Sequence, residues 1–168
     1  VKNKVMMLVL ILLPLVALAA LFWFLHVKNQ LPTEITNTLK APLEFKDNTV
    51  QCPQCHMFIV GKKYTAQIIT NDLITHIFDD IGCAILWLKE HKIEPYSITF
   101  WVYSNDTNRY IDAFTAFYRI DDATPMQYGF GAYEKHKESM IEFSEMRLRM
   151  LRGENMSDSK VKHHLQGH

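Results

Sequence analysis

The chain has 168 residues, with 18 Lys+Arg balanced by 18 Asp+Glu and no net charge, which excludes the basic footprint of a nucleic-acid binder. Aromatic residues at 12% are enough for the core of one compact domain. Three cysteines are too few for a disulfide scaffold and their odd number leaves one unpaired in a monomer, so metal or redox chemistry is the stronger reading.

From Val5 to Leu25 there is no charge, and a run of this length predicts a transmembrane helix at about 1.5 Å of rise per residue. Lys2 and Lys4 precede it, which places the N-terminus in the cytoplasm and the rest of the chain on the extracytoplasmic (periplasmic) side of the inner membrane. Ala17-Leu18-Ala19 has the look of a signal-peptide cleavage site, but apolar residues continue through Leu21–Leu25, so an uncleaved anchor over 1–26 is preferred. Residues 27–46, with Pro32 and Pro42, read as a linker.

The domain proper is expected over 47–153. Tyr64–Thr70 and Leu73–Phe78 are β-prone and separated only by Asn71-Asp72, which predicts a tight hairpin. Asp79 or Asp80 then caps a helix running to about His91, and Ser97–Tyr103 follows as a strand with one buried face. After turn residues Asn105–Asn108 come β-prone Arg109–Asp112 and Thr115–Ile120, a Pro/Gly loop over Thr124–Gly131, and a helix from about Tyr133 to Arg152 ended by Gly153. The order predicts an α+β fold of two small similar β-β-α-β units, about 47–104 and 105–153. A flexible polar tail follows over 154–168.

The chemistry-bearing motif is Cys52-Pro53-Gln54-Cys55-His56-Met57. Soft sulfur donors select soft metals, and a mixed Cys/Met set suits Cu(I) better than zinc. On an extended chain Cys55 and Met57 share a face, so thiolate and thioether project together. Met126, on the Pro/Gly loop, is the best third donor, with core packing as its plain alternative. Cys52 completes a CxxC, and His56 has a claim through its neighbours. A thiol–disulfide exchange centre of Cys52 and Cys55 ranks second, because Met57–Gly61 reads as strand where such a motif should open a helix. Cys83 reads as a small buried hydrophobe and Asp79-Asp80 as a helix cap. No phosphate loop, nucleophile elbow or H-E-x-x-H helix is present, and nothing argues for catalysis.

Cys52-Pro53-Gln54-Cys55-His56-Met57-Phe58, Ala66-Gln67-Ile68, Phe78-Asp79-Asp80-Ile81-Gly82-Cys83 and Thr124-Pro125-Met126 through Tyr133 together resemble the nitrous-oxide reductase accessory proteins of the NosL type, in order and spacing over about residues 47–150. The resemblance implies a non-enzymatic Cu(I) chaperone. Its partners would be a copper donor or acceptor, namely nitrous-oxide reductase or its assembly complex, and it would be tethered at the membrane bilayer. The family's Cys-x-Met pair falls on Cys55 and Met57, and its loop methionine on Met126. The chain departs from the family in three ways. His56 and Gln127 stand where the family usually carries glycine, the family is typically lipid-anchored, and no final strand is evident after Gly153.

Overall fold

The computed structural model describes residues 2–28 and 34–165. The chain divides into two compact units, Val1–Leu31 and Pro32–His168. In the first, the apolar segment forms one helix, α1 (Lys2–Lys28), with Pro14 inside it. Among the described residues no helix is long and apolar enough to cross a membrane. α1 carries Lys2 and Lys4 at its start and Lys28 at its end. Pro14 also removes one rung of the helical ladder within it. The expected transmembrane anchor, and the single-pass extracytoplasmic placement drawn from it, are corrected accordingly.

The second unit is α+β, with the two sheets of the described chain and three of its four α-helices. The Asn71-Asp72 hairpin forms as expected: β2 (Ala66–Ile69) pairs antiparallel with β3 (Ile74–Phe78), Ile69 opposite Thr75. Leu73 takes the left-handed conformation that closes the turn, at φ +67°. Asp80 then caps α2 (Ile81–Glu90), its Oδ1 accepting from the Gly82 N–H at 2.8 Å. On the other side β4 (Thr99–Tyr103) pairs with β2, and its residues alternate between half-buried and buried.

The expected pair of similar units is corrected. The turn at Asn105–Asn108 does not open a second unit; it closes a hairpin, with Ser104 N–H bonding Arg109 C=O at 2.8 Å, so that β5 (Tyr110–Asp112) joins the first sheet. With β1 (Glu34–Thr36) on the far edge beside β3, the order is β1-β3-β2-β4-β5. The second sheet holds three short strands in the order β7-β6-β8: β6 (Phe117–Arg119), β7 (Gly131–Tyr133) and β8 (Ile141–Glu142). Only after them comes α3 (Phe143–Arg152), about ten residues later than the sequence suggests. Strand pairing of Tyr133 with Phe117 and of Ile141 with Tyr118 claims the residues that helix would have used.

Within 27–46, read as linker, the described residues from 34 onward dock on the sheet. Gln67 is buried on β2 and its side-chain amide bonds both the N–H and the C=O of Leu43 at 2.8 Å. The Trp101 indole N–H donates to Lys40 C=O at 2.9 Å. This cover explains why β2 is buried along its whole length. On the opposite face α2 packs over β2 and β3 and against α3. Phe143 at the start of α3 meets the rings of Phe100, Phe114 and Tyr118 there. Burying a side chain of this size stabilises by about 1.5–3 kcal/mol. The last helix, α4 (Ser159–Leu165), lies in the segment read as a flexible tail.

Candidate metal centre

The CPQCHM segment is the tip of a narrow loop. Asn48 N–H reaches Ile59 C=O, Ile59 N–H reaches Val50 C=O, and Gln51 bridges Phe58 antiparallel. At the tip Cys52 N–H bonds Met57 C=O and His56 N–H bonds Cys52 C=O, both at 2.9 Å. His56 closes the turn with φ +61°. The chain is therefore not extended from Cys55 to Met57, and the alternation expected to align their sulfurs does not apply. Cys55 turns inward and is half-buried, whereas Met57 is 44% exposed.

Two further candidate ligands, a carboxylate and a third thiol, come from the start of α2. Asp79 follows β3, Asp80 is the cap, and Cys83 is the third residue of the helix. The two aspartates, indistinguishable as cap candidates in the sequence, divide the work. Asp80 holds the helix end, while the Asp79 carboxylate faces the loop and accepts from the Cys55 thiol at 3.3 and 3.4 Å. The result is a four-member group: one ligand atom each from Cys52, Cys55, Asp79 and Cys83, all within 4.8 Å of one another. All three cysteines are free thiols. Cys52, Asp79 and Cys83 are buried; Cys55 is the member with access to solvent. Such a group can hold a metal ion.

The electrostatics fit an ion-ready site. A hydrogen bond from Cys83 pulls the Cys52 thiol below its ordinary range, against the upward push of burial. The same bond, with burial second, pushes the Cys83 thiol up. Burial raises Cys55 to about 12, against the Met57 backbone N–H, which favours the thiolate. A metal ion taking the place of the protons on Cys55 and Cys83 would offset the repulsion among the thiolates and the Asp79 carboxylate.

A third segment closes over the site. Asp80 Oδ2 accepts from Met126 N–H at 3.3 Å, and Gln127 N–H turns back to Thr124 C=O at 3.0 Å with Gln127 at φ +58°. The Tyr128 ring packs so tightly on α2 that a Cβ at Gly82 would lie 2.3 Å from it. Met126 is half-buried against the core. A cleft of about 230 Å³ is lined by Met57, Phe58, Val60, Lys63, Asp79 and Pro125, so it reaches from the exposed thioether to a member of the ligand group. Larger cavities of about 360 and 390 Å³ lie around Ile120 and carry no thiol.

Of the residues singled out in the sequence, the structure brings Cys52 and Cys55 together and puts Met57 on the adjoining cleft. Met126 is tied to the helix cap beside the site, and His56 is exposed outside the four-member group. Asp79 and Cys83 are the additions. Their signal was the Asp-x-x-x-Cys spacing across a helix start. The CxxC does not open a helix and its first thiol is wholly buried, unlike the exposed, low-pKa thiol of an exchange centre. No protein-family model, curated protein or solved structure matches this chain.

Proposed function

We propose that the protein is a Cu(I) metallochaperone rather than an enzyme, with the Cys52, Cys55, Asp79 and Cys83 group as its cargo site. The observation that carries this reading is the convergence of three free thiols and one carboxylate within 4.8 Å, with Cys55 the least buried of the four. Thiolates favour a soft ion, and one accessible ligand lets a partner's ligand attack without release of the metal into water. The thioether residue Met57 lines the adjoining cleft and offers a further soft donor.

The likeness to NosL-type accessory proteins points the same way and names nitrous-oxide reductase, or its assembly complex, as the destination of the copper. Both positions at which this chain departs from the family's glycines, His56 and Gln127, have left-handed backbone at φ +61° and +58°. That conformation is the one for which glycine is the default residue, so a glycine would fit either position. A structural zinc site is the second reading, favoured by a Cys₃Asp set that suits a closed tetrahedral ion. Disulfide exchange has less support, since Cys52 is buried.

An anaerobic competition titration of the reduced full chain with Cu(I), repeated with Zn(II), separates these. One tightly bound Cu(I) per chain is expected, weakened by at least about 100-fold in Cys55→Ala and about 10-fold or more in Cys83→Ala, since losing a ligand exceeds losing an outer partner. Because Cys55 and Cys83 must lose protons to bind, affinity should rise by up to about tenfold per pH unit for each proton displaced. Preference for Zn(II), with Cys55 no more sensitive than the buried ligands, would replace the chaperone by the structural-zinc reading.

A further inference from the structure

Cys52 is the hub of the thiol group. Its sulfur takes hydrogen bonds from the Cys83 thiol and from the backbone N–H groups of Cys55 and Asp79, and it bonds the Cys55 thiol as well. Cys52 and Cys83 have no solvent exposure, whereas Cys55 is half-buried. Cys55 is therefore the one thiol of the three that a molecule from outside can touch. Cys52 and Cys55 also flank a single turn, which Cys52 C=O closes by accepting from His56 N–H at 2.9 Å. The span of such a turn suits a disulfide. Cys83 belongs to another element, the first turn of α2, and its S–H is directed at Cys52.

We propose that the metal-free centre is a redox gate: Cys52 and Cys55 join as a disulfide while Cys83 stays a thiol, and the chain accepts its metal only after that bond is reduced. This rests on the metal-site reading above and adds its regulation. The oxidant is a small-molecule disulfide. In the first step the Cys55 sulfur gives up its proton and attacks one sulfur of the oxidant; a mixed disulfide forms, and one small thiolate leaves and takes up a proton. In the second step the Cys52 sulfur attacks the Cys55 sulfur from within the domain. The Cys52–Cys55 bond forms, the mixed bond breaks, and the second small thiol leaves with the proton that Cys52 lost. Two thiols of the chain are thus oxidised by two electrons, and the oxidant is reduced to two thiols. Two of the four candidate ligands are consumed, and the thiol and carboxylate that remain are too few for a tight soft-metal site. A bound metal occupies the same two sulfurs, so the loaded form and the disulfide form exclude each other. Burial holds the Cys55 thiol protonated, which makes the first step slow. The gate therefore answers a sustained change in redox poise. It is not a centre for exchange with other proteins, because Cys52 never faces solvent.

The test incubates the reduced full chain anaerobically for hours with excess oxidised glutathione, then traps free thiols with N-ethylmaleimide under denaturing conditions for peptide mapping by mass spectrometry. The expected product carries a Cys52–Cys55 cross-link and an alkylated Cys83. After desalting, the oxidised chain should bind Cu(I) at least about 100-fold more weakly than the reduced chain, since two ligands are lost, and dithiothreitol should restore binding. Cys55→Ser, checked for folding by circular dichroism, should leave Cys52 and Cys83 as thiols. A lasting glutathione adduct on Cys55, a cross-link that includes Cys83, or a Cu(I) affinity unchanged by oxidation overturns the gate. If the reduced parent binds no Cu(I), the chaperone reading falls and the gate falls with it; if reduced and oxidised chains bind it equally, only the gate falls. The parental arms need no substitution, so the test stays decisive even where Cys55→Ser does not fold.

Discussion

His56 and Gln127 hold left-handed backbone, at φ +61° and +58°, although neither is glycine. For an ordinary residue that conformation costs roughly 1–2 kcal/mol, against which glycine adds unfolded-state entropy. Gln127 is exposed, and its backbone N–H alone is seen to bond, to Thr124. Gln127→Gly should therefore stabilise the domain by about 0.5–1 kcal/mol, read as a higher urea midpoint at unchanged slope. A lower midpoint would mean that the Gln127 side chain makes a contact worth more than the strain. At this scale the sequence was informative about residue type and silent about backbone sign. The Cys-x-Met spacing was legible, but its alignment assumed an extended chain, which the left-handed His56 cancels. Asp79 and Asp80 posed the same difficulty. Two adjacent carboxylates before a helix are equally good caps on paper, and only the extended backbone of Asp80, at φ −145° and ψ 139°, decides between them.

The start of α2 is where the elements meet: β3 delivers Asp79, the cap Asp80 anchors the 124–128 loop through Met126, and the first turn supplies Cys83. Gly82 lets Tyr128 lie directly on that turn, since a Cβ there would come within 2.3 Å of the ring. Gly82→Ala should destabilise the domain by about 1–3 kcal/mol through this overpacking, outweighing alanine's better helix propensity. Thermal denaturation checks this, and a variant as stable as the parent would show that Tyr128 yields without cost. The hairpin and α2 were legible because strong local signals agree with the tertiary fold: a tight turn at Asn71-Asp72, a capping aspartate and an apolar run from Ile81 to Leu88 in which only Leu86 is less than buried. The start of α3 was not. Lys135–Ser139 is polar and compatible with a helix, and what excludes one is the pairing of β8 with β6 and the left-handed Ser139 at φ +68°. Neither leaves a mark in a single sequence. The buried residues of α3 are Phe143, Met146 and Met150, and Leu148 is 41% exposed.

In the Pro32–His168 unit the candidate site is assembled from three distant stretches: the 52–57 loop, the 79–83 helix start and the 124–128 loop. The sequence supplied all three as separate motifs, but nothing in their spacing told which side chains converge. Cys83 was read as core because a lone cysteine on an apolar helix usually is core. It is indeed fully buried, and it is also within 4.8 Å of two other thiols. Burial and ligation are not alternatives when the ligand group itself lies in the core. The topology brings this about: β2 and β3 place Asp79 at the end of the sheet, and the loop carrying Cys52 hydrogen-bonds across its own base so that Cys52 enters the interior. The most direct measurement is X-ray absorption at the copper edge of the reduced, Cu(I)-loaded chain, counting sulfur neighbours in the parent and in Cys83→Ala. A sulfur-dominated shell that loses one sulfur in the variant is the expected result. A shell of nitrogen and oxygen, or a sulfur count indifferent to Cys83, would contradict a metal held by the buried thiol group.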